Sequence, residues 1–397
     1  MTALNNPLRM RYNQIMIADL EQTELVWVDQ PQKLKEIADE LLKQDILAVD
    51  TESNSLYAYQ EQVCLIQFST REKDYLVDAL VLPDLSPLAP IFQSENILKV
   101  FHAAEYDLIC LFRDYGFRFN FLFDTMIAAR TLGYQQIGLG SLLKQFFGIE
   151  VKKKYQRANW GKRPIKEEML AYARLDSHYL IQLQQHLRKE LESSGRWDLA
   201  LEDFRRLTQG VEDTTSSSED DFWKLQGARD LNPRQAAVLK SVYEFREATA
   251  KAQNRPTFKV LSHQVLIDIA STCPETQSEL SKVPSLNKRL ANRYGKGLIE
   301  AVLAGKQAPP EYQPHYERPE NGVLNRIDTL REWRKYTGQD LGVPSDVVLP
   351  RDVLNRIAWA SPNSIKALEE QMQDVPHRFD RFGHEIIKII NNGSKPS

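Results

Sequence analysis

The chain has few cysteines and no arrangement of them that suggests a covalent scaffold. Only three occur in 397 residues, and Cys64, Cys110 and Cys273 are far apart, each within an apolar segment. An odd number of widely spaced cysteines argues against a disulfide framework and against a zinc site, which needs closely spaced pairs. We therefore expect three reduced thiols in the interior of the protein.

Long apolar runs and a strong net charge are also missing. Residues 1–22 lack the apolar centre of a signal peptide, and no stretch reaches the roughly 20 apolar residues that a membrane span needs. A cytoplasmic protein without a membrane segment is expected. The formal net charge of −3 is not that of a general nucleic-acid binder, so any attraction for phosphate groups must be local.

The first half of the chain contains four acids and a tyrosine in three short clusters. Asp50 and Glu52 close one apolar run, Asp107 follows another, and Tyr172 precedes Asp176 by four residues. Side chains alternate along a strand, so Asp50 and Glu52 would leave the same face about 7 Å apart. Residues four apart on a helix are neighbours, which would place the Tyr172 hydroxyl beside the Asp176 carboxylate.

These acids suit one kind of ligand. Carboxylate oxygens prefer hard cations such as Mg²⁺ and Mn²⁺, and two such ions roughly 3.5 to 4 Å apart can stabilise the attacking and leaving oxygens of a phosphoryl displacement. Four negative charges balance two divalent cations. Without cations, four close carboxylates would repel one another and take up protons. The clusters therefore predict a site for two divalent metal ions.

The segment from Val151 to Pro164 is the clearest local source of positive charge. It interleaves six cationic side chains with two aromatic ones and contains no acid. Cations can hold a phosphate backbone while aromatic faces stack on bases, so the segment is a candidate contact for a single strand; a solvated basic loop is the alternative. The candidate substrate-binding residues are Lys152, Lys153, Lys154, Tyr155, Arg157, Trp160, Lys162 and Arg163. Gln67 is a further candidate, with a hydrogen-bonded interior amide as the alternative.

Periodicity indicates that the first 200 residues form an α/β domain in which strands precede most of the helices. The predicted strands are 46–49, 64–68, 75–77 and 98–101, and the predicted helices are 106–115, 124–132, 139–147 and 167–191. Asp124, a fifth acid, stands where a helix N-cap belongs, and we favour a cap over a role in the site. His102 and His178 flank the motifs and are interpreted as polar neighbours, not ligands.

Two composition breaks divide the second half. An acidic, serine-rich stretch at 211–222 and a proline-rich stretch at 305–322 are predicted linkers. The two segments that they separate are copies of one another: a shift of 88 residues without a gap pairs 244–246 with 332–334, Pro256 with Pro344 and Gly295 with Gly383. The repeat occurs only twice and is too long for a solenoid unit, so it predicts two small helical domains.

At Asp50, Glu52, Asp107, Tyr172 and Asp176 the chain resembles the DEDD superfamily of 3′ to 5′ exonucleases. The motifs of that superfamily are D-x-E, an aspartate on a following helix, and a tyrosine or histidine shortly before the last aspartate. Tyr172 makes the chain similar to the tyrosine subclass, to which ribonuclease D belongs. The repeated segments resemble the HRDC domain, and two of these behind a tyrosine-type core is the ribonuclease D arrangement. The resemblance implies a ribonuclease-H-like α/β exonuclease core followed by two small all-α HRDC-like domains.

The resemblance also implies an activity. It implies a 3′ to 5′ exoribonuclease that releases 5′ mononucleotides from RNA 3′ ends, with tRNA precursors as substrates. Asp50, Glu52, Asp107 and Asp176 would hold two Mg²⁺ or Mn²⁺ ions, and Tyr172 would orient and deprotonate the attacking water. Because no identified residue reads the 2′-hydroxyl, a DNA exonuclease remains an alternative, as does an inactive RNA-binding scaffold. A monomer without an obligate protein partner is expected.

The expected domain boundaries follow from these breaks and motifs. They are an N-terminal extension at 1–22, the exonuclease domain at 23–210, a linker at 211–222, the first HRDC-like domain at 223–304, a linker at 305–322, the second HRDC-like domain at 323–391 and a tail at 392–397. The first copy ends with five cations, whereas the second has four acids in the corresponding stretch. This difference predicts that the first copy contacts RNA and that the second mainly packs or encloses.

Overall fold

The computed structural model describes residues 23–151, 153–210, 221–314 and 319–392. The predicted N-terminal extension, Lys152, nearly all of the acidic linker and residues 393–397 lie outside the described residues. The chain divides into two compact units. The first is formed by Met1–Glu52, Val63–Thr214 and Arg318–Ser397, and the second by Ser53–Gln62 and Thr215–Glu317.

A six-stranded mixed sheet forms the centre of the first unit. Its strands are β1 Glu24–Val28, β2 Ile46–Ser53, β3 Val63–Ser69, β4 Lys73–Val77, β5 Leu98–Phe101 and β6 Leu122–Asp124, arranged in the order β1-β4-β3-β2-β5-β6. β1 is parallel to β4, β3 is antiparallel to β4, and β5 is parallel to both β2 and β6. The α/β class is confirmed. The sequence did not predict β1 or β6, which are short strands added in parallel to partners distant in the chain.

The chain turns from apolar to polar within β2. Ile46, Leu47, Ala48 and Val49 are buried, whereas the remaining four residues are only partly so. Buried apolar side chains fix this strand in the middle of the sheet, where β3 and β5 flank it. Asp50 and Glu52 therefore emerge at the end of a strand that is rigidly held at its other end.

Eight helices accompany the sheet in the described part of the core. They are α1 Pro31–Leu41, α2 Ala89–Gln93, α3 Glu105–Tyr115, α4 Thr125–Leu132, α5 Leu139–Phe147, α6 Glu167–His178, α7 Leu180–Ser193 and α8 Trp197–Gln209. The prediction of one continuous helix over 167–191 was wrong, because the chain breaks between α6 and α7 at Tyr179. The break lets the Tyr179 ring enter the interior, where its centroid lies 5.8 Å from that of Phe147.

Each repeated segment folds into five helices. In the first repeat they are α9 Pro233–Ala252, α10 Thr257–Val260, α11 His263–Thr272, α12 Gln277–Leu280 and α13 Lys288–Gln307. In the second they are α14 Asn321–Leu341, α15 Ser345–Val348, α16 Arg351–Ala360, α17 Ile365–Gln371 and α18 Pro376–Asn392. Every start in the second repeat lies 88 residues after its counterpart, which agrees with the repeat found in the sequence.

The structure moves both linker boundaries slightly. Phe222, inside the predicted acidic linker, is fully buried beside Trp223 in a short 3-10 helix, because two adjacent aromatic residues add to the apolar core of the first repeat. Helix α13 continues to Gln307, three residues into the predicted proline-rich linker, since its composition stays favourable for a helix until the prolines begin.

The second repeat packs against the exonuclease core within the first unit. Arg378 on α18 is 0 % exposed and donates to Glu202 Oε2 at 2.7 Å and to Asp203 Oδ2 at 2.8 Å, both on α8. The position of Arg378 in the first repeat is occupied by Leu290. A buried arginine with two acids is costly to separate, so it fixes the second repeat to the core. Among the described helices, none has the length and apolar character needed to cross a membrane.

Candidate active site

Three predicted acids meet at the end of β2. Asp50, Glu52 and Asp176 each contribute a carboxylate oxygen to a group in which the oxygens lie within 4.8 Å of one another. Asp50 and Glu52 share a face of β2 because side chains alternate along a strand, and Asp176 comes from α6. Strand alternation thus brings together the two acids of the D-x-E motif, and the tertiary fold adds the third.

Asp107 lies beside this group, on the first turn of α3. Its Oδ1 accepts a hydrogen bond from the hydroxyl of Thr51, the residue between Asp50 and Glu52. Its charge acts on the carboxylates of both Asp50 and Glu52. The four acids that the sequence singled out therefore form one electrostatic cluster.

This cluster has the protonation behaviour of acids that lack a counterion. Burial, followed by the charges of the other acids, raises the pKa of Asp50 and Glu52 well above their usual values. Burial also raises the pKa of Asp107 and of Asp176 to about 7. Among the described residues, the charged neighbours with the largest effect on Asp50 and Glu52 are acids of the same cluster. A donor set made only of carboxylate oxygens fits Mg²⁺ or Mn²⁺, whose positive charge would relieve this repulsion.

Tyr172 lies next to Asp176 on the same face of α6. Its hydroxyl is close enough to the Asp176 carboxylate to act on the pKa of that group, which agrees with the spacing of four residues. Burial and the neighbouring charges of Asp176 and Glu52 raise the pKa of Tyr172. The phenol is therefore protonated near neutral pH and has a proton that it can donate.

The opposite side of α6 is fixed by a buried polar network. Asp74 on β4 accepts hydrogen bonds from Arg174 and from Nδ1 of His178, the latter at 2.8 Å. The hydroxyls of Ser69 and Ser177 lie 2.8 Å apart. These contacts hold α6 to β3 and β4, so they also determine where Tyr172 and Asp176 point.

The fifth acid caps a helix, and the flanking histidines have polar partners of their own. Asp124 accepts hydrogen bonds from the backbone amides of Met126 at 2.8 Å and Ile127 at 3.0 Å, which confirms the N-cap of α4. It also accepts from the amide of Ala104 at 2.7 Å, just before α3. His102 Nδ1 lies 2.9 Å from the Thr125 hydroxyl. Neither His102 nor His178 is part of the carboxylate group.

The structure corrects part of the substrate-binding prediction. Trp160 is 1 % exposed, and its ring centroid lies 6.3 Å from that of Tyr172, so it packs against the tyrosine and presents no face to a base. Arg163 donates two hydrogen bonds of 2.6 Å to Asp78, which occupies its guanidinium. Gln67 is 0 % exposed on β3 and belongs to the interior. These side-chain types fit nucleic-acid contact as well as they fit an interior position. The fold buries Trp160 and Gln67 and pairs Arg163 with Asp78.

Other residues of the basic segment remain at the surface. Lys154 and Lys162 are exposed, as is Arg157. Tyr155 donates from its hydroxyl to Glu168 at 2.6 Å and packs against Tyr172 at a centroid distance of 5.9 Å. Lys152 and the side chain of Lys153 lie outside the described residues.

Asp50 and Asp176 line a cleft of about 670 Å³. Its wall includes residues that the sequence did not single out as site residues. They are Gly138, Leu139, Gly140, Ser141, Lys144, Glu150, Val151 and Gln156. Two glycines at the start of α5 were the available signal, because glycine leaves the backbone open to a ligand. The cleft gives an extended molecule access to Asp50, Tyr172 and Asp176.

The D-x-E pair on β2, Asp107 on α3 and the Tyr172–Asp176 pair on α6 together define a DEDD-type 3′ to 5′ exonuclease domain. Comparison with known families agrees, since the 3′-5′ exonuclease family matches residues 25–192. The HRDC domain matches residues 235–302 and again 323–390, which are the two repeats. Residues 25–192 therefore belong to the 3′-5′ exonuclease family and the two repeats to the HRDC family, an arrangement that is similar to ribonuclease D.

The relatives include RRP6-like proteins and bacterial ribonuclease D. Protein RRP6-like 2 from Arabidopsis thaliana is 36% identical over 322 residues, which cover 78% of this chain and 36% of the relative. Ribonuclease D from Nitrobacter hamburgensis is 29% identical, with 85% of this chain and 89% of the relative covered. The crystal structure of the catalytic core of RRP6 from Trypanosoma brucei is 29% identical, covers 72% of this chain and 80% of that chain, and gives a TM-score of 0.61. The chain thus spans little more than a third of RRP6-like 2.

Proposed function

We propose that this protein is a divalent-cation-dependent 3′ to 5′ exoribonuclease that releases 5′ mononucleotides and acts on tRNA precursors. The observation that carries the proposal is the convergence of Asp50, Glu52 and Asp176 within 4.8 Å, with Tyr172 beside Asp176 on the same face of α6. The names of the relatives support ribonuclease activity, since Ribonuclease D covers most of this chain. We further propose that the protein works as a monomer on RNA 3′ ends.

The acids have one role in this proposal. Asp50, Glu52, Asp107 and Asp176 would hold two Mg²⁺ or Mn²⁺ ions. Bound cations of this type activate water and stabilise the developing charge of a phosphoryl displacement. The chain contributes the position of each carboxylate: β2 fixes two of them, α3 the third and α6 the fourth.

Tyr172 would position the reacting water. Its hydroxyl acts on the pKa of the Asp176 carboxyl, and the Tyr155 and Trp160 rings pack against its own ring. A phenol held on several sides can direct its oxygen with little loss of freedom on binding. Trp160 thereby serves the reaction by supporting Tyr172, in place of the base stacking that the sequence suggested.

The exposed cations of the basic segment would contact the RNA backbone. Lys154, Arg157 and Lys162 carry positive charge at the surface of the segment that leads to α6, and Gln156 of the same segment lines the cleft. Contacts with phosphates depend on salt, because each one releases condensed counterions. These residues are proposed to guide a single strand toward the acids.

The test uses 5′-labelled single-stranded RNA and DNA of equal length, each with Mg²⁺, Mn²⁺ or a chelator. Asp176→Asn is the inactive variant, and Asp328→Asn, an exposed aspartate of α14 whose side chain is 74 % accessible, is the matched control. We expect a ladder of one-nucleotide steps on RNA that needs both a divalent cation and Asp176. A 3′-labelled RNA should release a nucleoside 5′-monophosphate, and a tRNA precursor with a 3′ extension should be shortened.

Each other outcome identifies an alternative. A ladder mainly on DNA would replace the proposal with a DNA exonuclease. Binding of RNA without any product under every metal condition would leave an RNA-binding scaffold. Products in the presence of chelator would contradict the role assigned to the four acids.

A further inference from the structure

The segment that follows Glu52 belongs to a different unit from Glu52 itself. Residues Ser53–Gln62 pack with residues Thr215–Glu317, which contain the first HRDC domain, whereas the chain up to Glu52 belongs to the exonuclease core. We call residues 53–62 the D-x-E loop, since they connect that motif to β3. A metal-ligand candidate is thus directly followed in sequence by a loop that the first HRDC domain holds.

The D-x-E loop is closed on itself. The backbone amide of Gln62 donates to the Asn54 side-chain oxygen at 2.8 Å, and the Asn54 amide donates to the Gln62 carbonyl at 3.2 Å. The Tyr57 amide donates to the Asn54 carbonyl at 2.7 Å, and the Ser53 hydroxyl donates to Glu61 at 2.7 Å. These bonds tie the two ends of the loop together, so a loop that is held at its tip is also ordered at Ser53, the last residue of β2.

The first HRDC domain holds this tip through three side chains. Asn254 accepts the backbone amide of Tyr59 at 3.1 Å, and Glu247 accepts the Tyr59 hydroxyl at 3.3 Å. The Lys259 ammonium lies 4.1 Å from the centre of the Tyr57 ring, within the range of a cation–π contact. The Tyr59 ring also packs against the apolar core of this domain.

The main acceptor is itself fixed from inside the domain. The Arg246 guanidinium is 2 % exposed and donates to Glu247 at 2.8 Å. Its carbon lies 4.8 Å from the centre of the Tyr243 ring. The Glu247 carboxylate is thus oriented from within its own domain, in a position to accept the Tyr59 hydroxyl.

The second HRDC domain shows that the attachment is not needed for the fold. It has the same five helices, yet Glu247, Asn254 and Lys259 correspond to Lys335, Gly342 and Val347. The 254 and 342 positions both adopt positive φ, 44° and 64°, as the turn after the first helix requires. Glycine meets that requirement without a side chain, so the Asn254 amide supplies a contact that the turn does not need.

From this arrangement we infer that the first HRDC domain positions Glu52 for metal binding by holding the D-x-E loop. Tyr59 and Asn254 are positioning residues in this view, since they act on Glu52 through the chain and not on the cation. The inference rests on the proposed function, because it assigns Glu52 to a metal site. It gives this domain a part in the reaction that is separate from any contact with RNA.

The variants follow from the comparison of the two copies. Asn254→Gly introduces the residue of the second copy and removes the acceptor without straining the turn, and Tyr59→Phe removes the hydroxyl alone. The reciprocal change Gly342→Asn is the control for the first, since a Cβ there meets no atom within 4 Å. Tyr312→Phe, at a tyrosine that is 72 % exposed, is the control for the second.

The first readout is the affinity of the full-length protein for Mn²⁺, measured by calorimetry without RNA. We expect the Asn254→Gly, Tyr59→Phe double variant to bind Mn²⁺ about 10-fold to 100-fold more weakly, the usual effect of losing support behind a metal ligand. The controls should bind Mn²⁺ as the wild type does. Because this readout needs no catalysis, it stays informative even if the wild type proves not to be a nuclease.

The second readout separates positioning from substrate binding. In the nuclease assay the double variant should lose kcat and regain it at high Mn²⁺, with an unchanged Kd for RNA measured in chelator. An unchanged Mn²⁺ affinity would overturn the inference. So would a weaker Kd for RNA with normal Mn²⁺ affinity, which would make the loop a substrate contact instead.

Discussion

Buried acids lie on two opposite sides of helix α6. The two sides differ in which groups balance the negative charge of the acid. On one side, Asp74 faces Arg174 and His178. Burial acts to raise the pKa of Asp74, but hydrogen bonds from His178, Ser69 and Arg174 lower it below its usual value. On the other side, burial raises the pKa of Asp176 to about 7.

The difference separates a structural acid from a ligand. The chain supplies the positive partners of Asp74, so that carboxylate is complete within the fold. Asp176 shares its side of the helix with a tyrosine and other acids, so its charge must be balanced by something that binds. A buried acid without an internal cation costs stability, and its presence is therefore best explained by a ligand of opposite charge.

The first way to test this comparison is to make the same substitution on both sides. We expect Asp176→Asn to lower exonuclease activity by more than about 100-fold, the upper range for residues that only support a ligand. The same change should raise the stability of the cation-free protein, because it removes a like charge from the cluster, by on the order of 1 kcal/mol. Activity on labelled RNA and urea unfolding in chelator measure the two effects. A loss of both activity and stability would mean that Asp176 is a structural acid.

Asp74→Asn should do the opposite. It leaves Arg174 without its charged partner in the interior, and breaking a buried ion pair costs about 3 to 5 kcal/mol. Urea unfolding of the cation-free protein should show this loss, with Asp328→Asn, an exposed aspartate, close to the wild type. Activity should fall as well, since α6 loses its attachment to β4. A variant as stable as the wild type would show that the network does not hold the helix.

The sequence predicted the contacts on the Asp176 side of α6 better than those on the Asp74 side. Tyr172 and Asp176 are four residues apart, so helical geometry alone brings them together. Asp74 and Arg174 are 100 residues apart in the chain, and no local pattern connects them. The same reason explains the error at Trp160, whose role depends on its packing against Tyr172. Aromatic residues among cations fit a nucleic-acid surface and an interior contact equally well.

The repeat shows a second limit of prediction from sequence. The 88-residue register predicted that two domains share a fold, because the matched positions are the apolar and turn residues that build each core. It did not predict which surface of each domain contacts the rest of the protein. Arg378 and Leu290 occupy equivalent positions in the repeat, but only Arg378 forms an ion pair. Cores are specified locally by pattern, whereas contacts between distant parts depend on single side chains.

A divalent cation should bind on the Asp176 side of α6 and not on the Asp74 side. Binding to the folded state stabilises it by RT ln(1 + [L]/Kd), about 2.7 kcal/mol at 100 times Kd. We expect Mn²⁺ to raise the unfolding temperature of the wild type most, that of Asp74→Asn less because α6 is held less firmly, and that of Asp176→Asn least. Differential scanning calorimetry at fixed pH measures this. An equal Mn²⁺ effect in all three proteins would place the binding site elsewhere.

The pH dependence of stability without cations should also distinguish the two sides. The folded pKa values of Asp107 and Asp176 are raised from 3.8 to about 7, so their folded forms bind protons more tightly than the unfolded chain does. Their contribution is present at low pH and is lost as pH rises through about 7, by on the order of 1 kcal/mol or more. The folded pKa of Asp74 is lowered, so its contribution is lost only as pH falls below its usual range near 4.

Between pH 5 and pH 8 in chelator, the wild type and Asp74→Asn should therefore lose stability in parallel, whereas Asp176→Asn should lose less. Unfolding temperatures that rise over this interval would show that a cation of the protein itself balances the acids, which would remove the reason to expect a metal ion there.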